Sequence, residues 1–394
     1  MFETLKKAPL DKIFALLGEY RADKRPEKLD LGIGVYKDET GNTPIMGAVV
    51  TAEKDMLADQ TTKSYVGVSG NRGFCDSIVD LIFADSIDRD RIASVQAPGG
   101  TGSLWVIMQL LNRARPGAKA WVSDPSWPNH WPMLEQAGLK PHFYPYFDPE
   151  TRAVKFDEML ACFDAMGPDD IVLLHACCHN PTGANLTNEQ WDKLALSLKK
   201  TGALPLLDLA YLGFGDGLEA DAYGVRKIAQ TCPEAMVAFS ASKNFGLYRE
   251  RAGVAIAVAP EEKTAKIVFS QMANVIRASF SQSPDHGAEI VRRIMNDDQL
   301  RADWEAELNE MRERMLRLRH NLAASLRKLS NSDEFDFIEE HRGMFSLLGL
   351  PPEVVEKLKL ENAIYLIDDS RANIAGIDEH ATDKLARAIL AASA

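Results

Sequence analysis

Residues 240–253 read SASKNFGLYRERAG: one lysine, Lys243, among small and hydroxyl-bearing residues, with Arg251 eight positions on. A solvated surface lysine needs no such company. The apolar run Met236–Phe239 leads directly into the stretch and reads as a buried strand, so the lysine falls just past a strand's carboxyl end. That placement decides the fold, because open parallel sheets gather their ligand-binding residues in the loops after their strands.

Working outward, the same pattern recurs. Short apolar runs at Ile92–Ala97, Ala120–Ser123, Ile171–Ala176, Ala203–Leu207 and Val254–Val258 alternate with helical patterns at Ser103–Arg113 and Asn188–Lys200. This predicts an α/β chain with a mainly parallel sheet covered by helices. A segment within Ala302–Leu329, rich in Leu, Met, Ala, Glu and Arg, predicts a long helix leading from a large domain to a smaller C-terminal one. A length of 394 residues is long for a single core. The N-terminal portion to about Gly32 is expected to pack with the second domain.

Each strand end carries something chemical. PGGTGSLW follows the first run, and Gly99, Gly100, Thr101 and Gly102 lead into a helix whose free N–H groups can hold an anion. A plain turn is the alternative. In DPSWPNHWP, Trp127 can stack on a planar ring or simply pack. In CCHNPTGANLT, Asn180 offers a side-chain donor at a sharp turn. In DLAYLGFGDG, Asp208 is a carboxylate at a strand end that needs a cationic or donating partner, with Tyr211 three residues on. Singly, each has an ordinary structural explanation. Converging on one sheet edge, they fit pyridoxal 5′-phosphate, which needs an amine, an acid for its ring nitrogen, a donor to its ring oxygen, a stacking partner and an anion cradle.

The motifs SASKNFGLYRERAG, HNPTG, DLAYLGFG, DPSWPNHWP and SRANIAG resemble those of the class I aminotransferases. More narrowly they resemble the aspartate and aromatic amino acid aminotransferase subgroup, close to its bacterial aromatic members. The match runs from about Asp30 to Gly376. The resemblance implies a fold type I pyridoxal-phosphate-dependent transferase, with a mainly parallel seven-stranded sheet in a large cofactor-binding domain over residues 34–305. Residues 1–33 would form an N-terminal arm and part of a small α/β domain completed by residues 306–394. It also implies a homodimer whose active sites are shared between subunits.

The resemblance further implies the site roles. Lys243 is the Schiff-base lysine and proton shuttle. Asp208 pairs with the pyridinium nitrogen, and Tyr211 and Asn180 bind the ring oxygen. Trp127 stacks on the ring and touches the substrate carboxylate. Gly100, Thr101, Ser240, Ser242 and Arg251 cradle the phosphate, joined by Tyr65 of TTKSYVGVSG from the neighbouring subunit. Arg371 clamps the α-carboxylate, for which its planar fork is suited. Gly34 lies on a segment that closes over the substrate. Arg277 crosses from the partner to hold a distal carboxylate. His130 and His175 support the ring from behind, and Arg249 is solvated or structural. Gly99 stands where many relatives carry serine, so the backbone must make that phosphate contact.

The implied reaction moves an amino group between an amino acid and a 2-oxo acid, with 2-oxoglutarate as acceptor, in two ping-pong halves. Substrate choice stays open. Val35, Tyr36, Lys37 and Thr43 look aspartate-type, whereas CCHNPTGANL and DLAYLGFGDGLE look closer to bacterial aromatic enzymes. An aspartate aminotransferase with little aromatic activity is one alternative. A lyase or decarboxylase on the same cofactor is another, disfavoured by Arg277. A cofactor-binding module without turnover is disfavoured by the full set Lys243, Asp208, Tyr211 and Arg371.

Composition excludes other classes. Lys and Arg number 45 against 57 acids, a net charge of −12, which leaves no basic excess for a nucleic acid partner. Cys75, Cys162, Cys177, Cys178 and Cys232 match neither a metal knuckle nor a disulfide frame, so reduced thiols, no metal and a cytoplasmic location are expected. The first residues lack a signal-peptide apolar core. No apolar run reaches the roughly 18 residues of a membrane span.

Overall fold

The computed structural model describes residues 1–7 and 12–393. The chain divides into two compact units, Pro44–Glu313 and Met1–Thr43 with Arg314–Ala394. Among the described residues the strands are β1 (Leu29–Asp30), β2 (Ile92–Pro98), β3 (Lys119–Asp124), β4 (Lys140–Pro145), β5 (Asp170–His175), β6 (Leu204–Leu209), β7 (Ala235–Ser240), β8 (Ala252–Val258), β9 (Phe345–Leu347), β10 (Ile364–Tyr365) and β11 (Arg371–Asn373).

The larger unit is built on a seven-stranded sheet in the order β2-β8-β7-β6-β5-β3-β4. β8 runs antiparallel to β2 and β7, and every other pairing is parallel. β7 and β8 are buried at every position, as strands covered on both faces must be. The helix Gly99–Ala114 turns Leu104, Ile107 and Leu111 into a core shared with Val95, Ala97, Ala238 and Ala255 of the sheet. A Cβ on Gly253 of β8 would stand 2.6 Å from the backbone of Gly99, so only glycine lets this strand press against the start of that helix. The helix Asn188–Thr201 opens on a Thr187/Gln190 capping box and stops at left-handed Gly202.

The sheet departs from expectation in two places. β4, of sequence KPHFYP, is not among the apolar runs read from the sequence, since it carries two prolines and alternates too few apolar residues to stand out. It is an edge strand paired only to β3, where a missing N–H is tolerated. β6 runs on through Asp208 to Leu209, so Asp208 lies inside the strand instead of just after it.

In the smaller unit β1 pairs in parallel with β10, and β9 pairs antiparallel with β11. Their core gathers Leu31, Leu318, Leu322, Ile338, Leu358, Ile374 and Ile389. The N-terminal segment through Thr43 belongs to one compact unit with the C-terminal part, a bound ten residues beyond residue 33. Hydrogen bonds hold the extra stretch. Lys37 N donates to Ala375 O (3.2 Å), Asn373 Nδ2 to Ile33 O and Val35 O (2.7 and 2.8 Å), and Arg314 Nη1 to Lys37 O (2.9 Å). The second boundary falls between Glu313 and Arg314, inside the long helix Asp298–Ser330, eight residues beyond the expected one.

Candidate active site

Strand register sets the floor of the site. His175 of β5 pairs with Asp208 of β6, which pairs with Ala238 of β7. Asp208 is buried, and its Oδ2 accepts from His130 Nε2 at 3.0 Å. His130 Nδ1 lies 2.9 Å from Ser126 Oγ, which lies 3.3 Å from His175 Nε2. With the carboxylate accepting, the tautomers follow: Nε2–H on His130, a Ser126 hydroxyl donating to His130, and Nε2–H of His175 donating to Ser126. Burial drives His175 down to about 3 and keeps it neutral. Burial alone would raise Asp208, but the His130 hydrogen bond and nearby Lys243 outweigh it and hold the carboxyl below its ordinary value. The strand end therefore presents a buried, ionised carboxylate, suited to a cationic ring nitrogen.

Lys243 follows β7, with Nζ 4.7 Å from the centre of the Tyr211 ring. The side chain keeps some accessible surface, but its amine is enclosed, and desolvation pulls it down to about 8 against the opposing pull of Asp208. An amine so placed is neutral in a useful fraction near neutral pH, as a nucleophilic lysine must be. The rate at which apoprotein captures pyridoxal 5′-phosphate is accordingly expected to rise with pH, pass its midpoint at about 8 and level off above it, as the neutral amine saturates. Stopped-flow absorbance across the pH range checks this. A rate still climbing toward 10.5 would assign the amine its ordinary value.

An anion cradle lies beside the lysine. Gly99 opens the 16-residue helix Gly99–Ala114 with φ +71°, and a Cβ there would stand 2.4 Å from Arg251 Nη2. The guanidinium lies on the Gly99 backbone, which gives a steric reason for glycine at this position. Arg251 Nη1 donates to Tyr248 O (3.0 Å) and Ser242 Oγ (3.3 Å). Ser240 Oγ donates to Ser242 Oγ at 3.1 Å, and a Cβ on Gly100 would come within 3.0 Å of Ser240. A helix N-terminus, two hydroxyls and a guanidinium thus lie together, the groups a phosphate requires. Thr101 is exposed in the first turn of the helix. Amine, ionised acid and cradle together fit pyridoxal 5′-phosphate.

Trp127 is partly buried, edge-on to His130 at 5.1 Å. Asn180 and Tyr211 are buried. The turn that presents Asn180 is anchored by His179, whose ring bonds to Ser123 and Thr182 (both 2.9 Å) and stacks on Tyr146 at 3.9 Å. Sequence reasoning assigned no role to Ser126 or His179. Their only signal was position, Ser126 beside Trp127 and His179 beside Asn180.

Arg277, at the end of the helix Glu262–Ser279, is exposed and bonds to Ser281. Tyr65 is 89% exposed, in a stretch without helix or strand. Arg249 is exposed as well. In the smaller unit Arg371 is 3% exposed, with its guanidinium 4.3 Å from the centre of the Phe345 ring and Nη2 donating to Gly32 O at 2.9 Å. A Cβ on Gly34 would meet the same Phe345 ring at 3.1 Å. Arg319, fully buried, donates to the carbonyls of Ile338, Gly343 and Phe345 and to Ser346 Oγ at 2.7–3.0 Å, fixing the strand that carries Phe345.

Residues 26–389 match the family described as aminotransferase class I and II. The chain is 51% identical to an aromatic-amino-acid aminotransferase of Paracoccus denitrificans, over 99% of each chain. It is 44% identical to an aspartate aminotransferase of Salmonella typhi, over 99% of this chain and 100% of that one. Its fold superposes with a TM-score of 0.97 on an aromatic-amino-acid aminotransferase from Burkholderia pseudomallei covalently bound to pyridoxal phosphate, at 38% identity and full coverage of both chains.

Proposed function

This chain belongs to the class I and II aminotransferases, and from that premise we propose that it transfers the amino group of aromatic amino acids and of aspartate to 2-oxoglutarate, with pyridoxal 5′-phosphate held at Lys243. One observation carries the reading: a buried amine with a lowered pKa, an ionised buried carboxylate and an anion cradle meet at one sheet edge of the larger unit. When bound, the cofactor supplies an electron sink for the negative charge developed at the substrate α-carbon.

The remaining work falls to the chain. Asp208 keeps a proton on the ring nitrogen, steadied by His130. Tyr211 and Asn180 would donate to the ring oxygen, and Trp127 would pack on the ring. Gly100, Thr101, Ser240, Ser242 and Arg251 hold the phosphate. Lys243 would take the proton from the substrate α-carbon and deliver it to a second carbon, as net amino transfer requires, a task for an amine whose pKa lies near the working pH. Arg371 grips the α-carboxylate in a bidentate fork, and Gly34 lies on the segment that closes over it. The chain works as a cytoplasmic homodimer in which exposed Tyr65 and Arg277 serve the neighbouring site. Among the described residues no helix is long and apolar enough to cross a membrane. Incubation with 2-oxoglutarate and either phenylalanine or aspartate is expected to yield glutamate. No glutamate from either donor would sink the reading.

Arg277 should read the donor's side chain. A distal carboxylate taken out of water needs a cation, whereas an aromatic ring does not. Arg277→Leu is expected to lower kcat/KM for aspartate by roughly two to three orders of magnitude while phenylalanine is little changed. Equal losses for both donors would mean that Arg277 supports the fold and not substrate choice.

A further inference from the structure

Cys177 and Cys178 follow β5 and lead into the turn that carries Asn180. Their sulfur atoms and a carboxylate oxygen of Asp221 all lie within 4.8 Å of one another, and all three residues are buried. The transamination proposed above uses none of them. Cys177 and Asp221 line a cavity of about 190 Å³ together with Tyr146, His175 and Trp191. Asn188 and Asp216, both exposed, also border it and open a way in from solvent.

The surroundings join this pair to the site. Asp221 accepts the backbone N–H groups of Gly213, Gly215 and Asp216 at 2.8–2.9 Å, pinning the loop after Tyr211. The Cys178 thiol donates to the carbonyl of Tyr211 at 3.9 Å. The two sulfurs therefore sit between the segment bearing Tyr211 and the turn bearing Asn180.

We propose that Cys177 and Cys178 form a dithiol site for a neutral trivalent thiophile of the arsenous acid or aryl arsenoxide class, reached through this cavity, and that its occupation stops transamination. In the step, two As–OH bonds of the hydrated arsenoxide break and two As–S bonds form. Each leaving hydroxide takes one thiol proton, so two waters depart and arsenic stays trivalent with no electron transferred. Once the first sulfur is bound, the second is its chain neighbour, and closure is intramolecular.

Charge selects this ligand class over a divalent cation. Hydrogen bonding to Cys178 and burial hold the Cys177 thiol well above its ordinary pKa. A cation would need both thiolates and so would have to drive two protons into solvent, against the surroundings that hold Cys177 protonated. The arsenous centre exchanges a neutral ligand for a neutral adduct. Occupation removes the donor to the Tyr211 carbonyl and crowds the residues leading to Asn180, and a displacement of about 1 Å can cost on the order of 10²-fold in rate.

The test uses holoenzyme treated with phenylarsine oxide. Peptide mapping by mass spectrometry is expected to place one arsenic on the peptide spanning Cys177 and Cys178, with both thiols lost to titration. Activity is expected to fall on the order of 10²-fold, to return with 2,3-dimercaptopropanol and to stay low with an equal concentration of a monothiol. Cys177→Ala and Cys178→Ala should each lose the dithiol-reversible adduct. Arsenic on other cysteines, no adduct on the folded enzyme, Zn²⁺ binding more tightly than the arsenoxide, or inhibition unchanged in the variants would each overturn the proposal. An adduct with full activity would also overturn it. The adduct map needs neither turnover nor the variants, so it stands apart from the proposed reaction and survives a variant that fails to fold.

Discussion

Lys243→Ala is expected to lower transamination by about 10⁴-fold or more, the largest loss of any single substitution in this chain. On the proposed function two jobs end together: holding the cofactor covalently and moving the proton at the substrate α-carbon. Nothing nearby replaces either. Arg251 is committed to Ser242 Oγ and the Tyr248 carbonyl, and His175 is held neutral at about 3 and already shared with Ser126. Cofactor binding should survive in part, because Gly100, Ser240, Ser242 and Arg251 do not depend on the lysine. The variant is thus expected to hold pyridoxal 5′-phosphate loosely and to turn over almost nothing. Borohydride added to the native protein should fix the cofactor on the peptide containing Lys243. A label on any other peptide, or a variant within tenfold of native activity, would remove Lys243 from the mechanism.

Asp208→Ala is the second large effect, expected at roughly 10²–10⁴-fold in kcat with a much smaller change in cofactor affinity. The split matters because Asp208 also organises the protein behind the ring. Its removal leaves His130, fully buried, without the acceptor of its Nε2–H. Asp208→Asn separates the two roles, since it keeps an oxygen for His130 and discards the charge. If charge on the ring nitrogen is what counts, Asn should be nearly as slow as Ala, and Glu should recover part of the rate. If Asn restores full activity, Asp208 serves only to orient His130. The carboxyl is held below its ordinary range, so its charge persists as pH falls through that range. Loss of activity on mild acidification should therefore come from groups other than Asp208.

Sequence showed the strand-end chemistry plainly because β5, β6 and β7 are apolar runs with abrupt polar ends, and Lys243 and Asp208 stand where those runs stop. β4 was hidden because an edge strand need not be apolar on both faces, and its prolines resemble loop. The Asp208–His130–Ser126–His175 chain spans three separate segments, so no spacing rule could reveal Ser126. The boundary at Thr43 is held by backbone carbonyls, which carry no side-chain signature. Tyr65 and Arg277 were legible only through family resemblance, and one chain alone leaves both on the surface.

The reversed strand β8 has a consequence for how the protein comes off the ribosome. β2 finds no partner in the sheet other than β8, and residue 93 must wait for residue 257. Until β8 has been synthesised, β2 and the glycines after it have no ladder to join, while β3, β4, β5 and β6 can already pair with one another. The proposed phosphate cradle, which needs Gly99 pressed against Gly253 and Arg251, is therefore among the last parts of the larger unit to exist. A nascent chain halted before β8 would expose an apolar strand edge and a cofactor site lacking its anion grip, the kind of intermediate that depends on chaperone shelter.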